Sequence, residues 1–110
     1  MPRYIVTGKY TASAVKAMVE NPSDREAAAR AIVEAAGGTL ENFYVTTGDN
    51  DFSIKVTIDD AADLIAGLMA TAAGGAVSNL KTVRAFTSDE FTAMQKKAGE
   101  LAGAYKAPGR

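Results

Sequence analysis

TLENFYVTTGDNDFSIKVTI, residues 39–58, carries two runs of β-branched and aromatic residues around Gly48-Asp49-Asn50-Asp51. Gly, Asn and Asp tolerate the backbone angles of a tight reversal, so Thr39–Thr47 and Phe52–Ile58 read as the two strands of a hairpin. With the turn centred on Asp49-Asn50, Val45 faces Ile54 and Phe43 faces Val56 on one side of the sheet. Thr46 then meets Ser53, Tyr44 meets Lys55 and Asn42 meets Thr57 on the other. A slip of one residue would exchange the faces of one strand, so the apolar set defines a core face and leaves a polar one.

Downstream of the hairpin, Asp59-Asp60 open a helix carrying Leu64, Ile65, Leu68 and Met69, and Gly74-Gly75 end it. Leu80–Phe86 (LKTVRAF) reads as a strand with Val83 and Ala85 toward the core and Thr82 and Arg84 opposite. Thr87-Ser88-Asp89-Glu90 has the pattern of a capping box. The helix it opens spaces Phe91, Met94, Ala98, Leu101 and Tyr105 along one side, and residues 105–110 form a flexible tail. Upstream, Arg3–Gly8 is strand-like, and Thr11 caps a helix over Ala12–Glu20 with Val15, Met18 and Val19 on one side. Asn21-Pro22 breaks that helix. Ser23-Asp24-Arg25-Glu26 is a second capping box, for a helix presenting Ala28, Ala31, Ile32 and Ala35 and ending at Gly37-Gly38.

The order β-α-β-β-α-β plus a C-terminal helix is the ferredoxin-like pattern, an α+β fold in one domain over residues 1–110. Right-handed crossovers put the helices on one face of a four-stranded antiparallel sheet. The second face mixes Tyr44, Phe86 and several threonines with charge. Pairing sheet to sheet in a homodimer around a cavity, a dimeric α+β barrel, disposes of it economically.

Composition excludes several chemistries. The 110 residues include no Cys and no His, which removes disulfides, thiolate nucleophiles, Cys-ligated metals and the usual general base near neutral pH. A formal net charge of -1 offers no overall basic field for nucleic acid or an anionic membrane. Apolar runs fall short of a membrane span, and Met1-Pro2-Arg3-Tyr4 has no signal-peptide pattern, so a cytoplasmic location is expected. No metal or cofactor is assigned. Asp49, Asn50 and Asp51 lack the rest of a calcium loop and read as turn chemistry. Asp59, Asp60 and Asp63 complement a helix dipole. The paired glycines follow helices rather than strands and are no phosphate loop.

The set with functional content is on the polar face: Tyr44, Lys55 and Arg84, with Thr46, Ser53 and Thr82 beside them. Cations projecting from strand centres into an enclosed space need a counter-charge. The leading expectation is therefore a homodimeric ligand-binding or regulatory module holding a small anionic molecule between the sheets. The alternatives are a cofactor-independent monooxygenase- or isomerase-like enzyme of the same architecture, and a purely structural dimer in which the cations pair with partner carboxylates.

The opening Pro2-Arg3-Tyr4-Ile5, the segment Lys9-Tyr10-Thr11, Gly37-Gly38-Thr39-Leu40 before Phe43-Tyr44, the turn Gly48–Phe52, and Thr82–Thr87 leading to Glu90-Phe91 together resemble the GYD-domain family of small bacterial proteins, up to about Met94. That family is named for a Gly-x-Tyr-Asp turn. Gly48 and Asp51 stand in its first and last places, and Asn50 stands where the tyrosine would be, so this turn carries no aromatic. The resemblance implies a ferredoxin-like fold related to dimeric α+β barrels, and no established activity.

Overall fold

The computed structural model describes residues 1–109. The chain runs β1 (Arg3–Tyr10), α1 (Ala12–Glu20), α2 (Arg25–Ala35), β2 (Thr39–Val45), β3 (Phe52–Thr57), α3 (Ala61–Ala73), β4 (Val77–Ala85) and α4 (Ser88–Leu101), with a 3-10 turn over Ala102–Ala104. The four strands form one antiparallel sheet in the order β2-β3-β1-β4, the split-βαβ arrangement expected from the sequence. Of the tail expected over 105–110, Arg110 lies outside the described residues.

Local chemistry sets the helix starts. Thr11 caps α1, accepting from the Ala14 amide at 3.2 Å, and its own hydroxyl donates to the Gly75 carbonyl, tying α1 to the loop before β4. Asp60 caps α3. At α4 the capping box forms in full: the Glu90 amide donates to the Thr87 hydroxyl and the Thr87 amide donates to the Glu90 carboxylate. At α2 the cap is Asp24 rather than Ser23, because its carboxylate accepts from the Ala27 amide. The helix accordingly turns a different stripe inward. Val33 is buried, with Ala29, Ile32 and Ala36 packed beside it, in place of the expected Ala28, Ala31, Ile32 and Ala35.

The hairpin register also differs from expectation, by two residues along the strand. Phe43 pairs with Ile54, Tyr44 with Ser53 and Val45 with Phe52. The Thr46 amide donates to the Asp51 carbonyl at 2.8 Å, closing a four-residue turn centred between Gly48 and Asp49. Gly48 supplies the left-handed angle, φ 91°, that this reversal needs. A two-residue shift keeps each residue on its expected face. Further along, Glu41 is an extra residue in β2, a bulge that returns Leu40 to the core opposite Val56.

The core lies between the sheet and α2 and α3. Val6, Val33, Leu40, Phe52, Ile54, Val56, Ile58 and Leu64 make it up, and among the described residues no polar or charged one joins them. Gly8 is required at its place in β1: a Cβ there would stand 2.6 Å from Phe52 Cζ and 2.9 Å from Leu80 Cδ2. Opposite Gly8, β4 accommodates one extra residue, with Asn79 at φ 51°.

Much of the chain finds no cover within it. Neither α1 nor α4 contains a buried residue. The apolar side expected on α4 is present but uncovered, with Phe91, Leu101 and Tyr105 all more than half exposed. The radius of gyration is 18.1 Å, against about 13 Å for a compact domain of this length. The accessible surface is 7436 Å², against about 5,800 Å² expected for a monomer of this mass.

Candidate functional site

The face of the sheet away from α2 and α3 is open. Antiparallel pairing aligns it in rows running from β2 to β4. One row is Asn42, Lys55, Ile5, Val83, and the next is Tyr44, Ser53, Thr7, Lys81. A third joins Thr57, Arg3 and Ala85. Alternation along β1 adds Lys9 to this face, because Gly8 before it points to the core. Three exposed apolar groups, Ile5, Val83 and Tyr44, thus share a surface with Lys9, Lys55, Lys81 and Arg3. Adjacent strands lie about 4.8 Å apart, so Lys55 and Lys81, two strands and two residues apart, flank the Ile5–Val83 pair at a separation on the order of 12 Å.

Two of these polar groups have partners within the chain. The Arg3 guanidinium donates to Glu90 in the first turn of α4, joining that helix's start to the edge of the open face. The hydrogen bonds of Glu90 to the Thr87 amide and hydroxyl, with Arg3 beside them, hold its carboxyl below the usual range. The Thr57 hydroxyl donates to the bulge residue Glu41 at 2.9 Å. Among the described residues, Lys9, Lys55 and Lys81 make no salt bridge.

Of the residues singled out from sequence, Tyr44, Ser53 and Lys55 do meet on this face, with Tyr44 paired to Ser53 and Lys55 one row away beside Asn42. Thr46 lies at the hairpin end, where its hydroxyl is occupied by the Asn50 carbonyl at 2.8 Å. Arg84 and Thr82 are on the other face. Arg84 pairs with Tyr4 and Thr82 with Val6, both on the helix side, and the Arg84 guanidinium lies 4.8 Å from the centre of the Phe86 ring. The six residues therefore do not assemble into one site. Leu80 is the cause: packing it onto the core turns Thr82 and Arg84 to the same side and sends Lys81 and Val83 to the open face. Lys81 and Ile5 are the members the sequence reading missed. Leu80, the one leucine of β4, was the available signal.

The family turn works as a clamp. The Asp51 amide donates to the Gly8 carbonyl at 2.8 Å, and the Asp51 carboxylate accepts from the Tyr10 amide at 2.9 Å. The hairpin end is thereby joined to β1 where the strand passes its glycine. Gly48 and Asp51 thus have structural work, one in the reversal and one in the clamp. Among the described residues no three carboxylates gather as a metal site would need, and no helix is long and apolar enough to cross a membrane.

A family model described as the GYD domain matches residues 4–94. No curated protein matches the chain in sequence. Among solved structures, TTHA0845 from Thermus thermophilus is similar over 80% of this chain and 96% of its own, at 17% identity and a TM-score of 0.52. The hypothetical protein PHS023 from Pyrococcus horikoshii is similar over 80% of this chain and 93% of its own, at 17% identity and a TM-score of 0.47. At 17% identity the likeness to TTHA0845 is one of fold.

Proposed function

The chain belongs to the GYD-domain family, and from that premise we propose that it works as a homodimeric small-ligand-binding module, two open sheet faces meeting around an anionic molecule. The observation that carries this reading is the uncovered surface. The excess over a compact monomer is about 1,700 Å² per chain, the scale buried per subunit in obligate dimers. Ile5, Tyr44 and Val83 on the open face and Phe91, Met94 and Leu101 on α4 are among the chain's exposed apolar side chains, where a second copy could cover them.

Charge then argues for a ligand. Sheets packed face to face stand about 10 Å apart. A twofold axis through the open face would bring Lys9, Lys55 and Lys81 of each copy toward the same residues of the other. Like charges at that range in a partly dry space repel, and a bound carboxylate or phosphate between Lys55 and Lys81 relieves the repulsion. Ile5, Val83 and Tyr44 would supply the apolar contacts around it.

The test is native mass spectrometry followed by calorimetric titration with citrate and inorganic phosphate. The reading expects a dimer at twice 11.4 kDa and anion binding that weakens at least about tenfold in Lys55→Gln combined with Lys81→Gln. A monomer at micromolar concentration, or anion binding indifferent to both lysines, would sink it.

A further inference from the structure

A second cavity lies on the opposite side of the sheet. Residues of α2, α3 and the sheet line a cleft of about 230 Å³. Its walls are apolar, chiefly Ile32, Val33, Phe52, Ile54, Leu68 and Leu80. Thr71, which also lines it, spends its hydroxyl on the Gly67 carbonyl of its own helix. The polar residues left to line the cleft are Arg25 and Tyr10.

Arg25 is held in an uncommon state. Its Nε is shut off from solvent and has no hydrogen-bond acceptor among the described residues. Arg30, on the same helix, shows what a satisfied arginine does here: it pairs with Glu26 at 2.9 Å and donates to the Leu40 carbonyl. Nε itself is closed to any water-sized group, but the guanidinium keeps its charge and makes no salt bridge among the described residues, so a carboxylate in the cleft would pair with its terminal nitrogens. Burial raises the ionisation point of the Tyr10 hydroxyl, Arg25 pulls it down and Asp51 pushes it up, so Tyr10 remains a neutral donor beside the guanidinium at neutral pH.

We propose that this cleft binds a small apolar carboxylate, with its ring or chain among Ile32, Phe52, Leu68 and Leu80 and its carboxylate on Arg25 and the Tyr10 hydroxyl. The volume suits one ring with a short arm, since an apolar cavity of about 150 Å³ already accepts benzene. The site is independent of the open face, from which the sheet separates it.

The experiment titrates the full chain with 3-phenylpropanoate and with its neutral isostere 3-phenylpropanamide. Affinity is followed by calorimetry, and location by NMR of the Ile32, Val33 and Leu68 methyl groups. The proposal expects shifts at those methyls and a preference for the acid of about tenfold or more. Arg25→Gln abolishes that preference, and Lys55→Gln leaves it intact, which separates this site from the open-face reading. Four results would overturn it: no methyl shifts with either compound, equal affinity for acid and amide, a preference that survives Arg25→Gln, or contacts from Phe91 of a second copy to Leu68 showing a helix already in the cleft.

Discussion

Truncating Phe91 to alanine separates a chain that functions alone from one that functions as a pair. In the single chain Phe91 is 58% exposed on a helix with no buried residue, so its loss changes folding stability by no more than about 0.5 kcal/mol. In a dimer that covers α4, the same ring becomes a central aromatic contact, and truncation of such a residue costs about 2 kcal/mol. Twofold symmetry counts it twice, so dissociation becomes easier by about 4 kcal/mol, or roughly a thousandfold in Kd. Sedimentation equilibrium from about 0.1 to 100 µM reads such a change directly. Circular dichroism of the variant checks that the fold persists. Lys96→Ala, on the same helix but outside its apolar row, serves as control and leaves Kd within about threefold. A Phe91→Ala dimer as tight as wild type, within about threefold, refutes the assignment of α4 to the interface.

Two further outcomes follow from the packing and the ionisable groups. Gly8→Ala drives a methyl into the Phe52 ring, itself in tilted contact with Tyr10 at 5.2 Å between centroids, and should destabilise by about 1–3 kcal/mol in a urea melt; an unchanged midpoint would show that β1 shifts freely past that ring. Because the folded-state ionisation point of Glu90 is depressed, its stabilising effect is fully present above the unfolded carboxyl value and is lost as pH falls through the folded one. Wild type should therefore lose more stability on acidification than Glu90→Gln, and parallel pH profiles for the two would contradict this.

Much of this protein was legible because its signals are local. The Thr87–Glu90 capping box, the Thr11 cap, the proline break at Pro22 and the paired glycines after α2 and α3 each act within a few residues, and each stands where the sequence placed it. The cap of α2 was ambiguous because Ser23 and Asp24 both offer a suitable oxygen, and packing of Val33 goes with Asp24. The hairpin kept its faces despite a two-residue shift in register, since side-chain alternation repeats every two residues.

Residue order alone was enough for the succession of elements, the apolar centre of the hairpin and the absence of His and Cys that bounds the chemistry. Which way β4 faces emerged only from packing in three dimensions. LKTVRAF alternates equally well in either sense, and the choice rested on Leu80 packing beneath Gly8 across the extra residue in β4. That contact joins residues more than seventy apart in the chain, beyond the reach of any local pattern. It moved Arg84 off the open face and put Lys81 there, which is why the site proposed from the structure is not the one the sequence outlined.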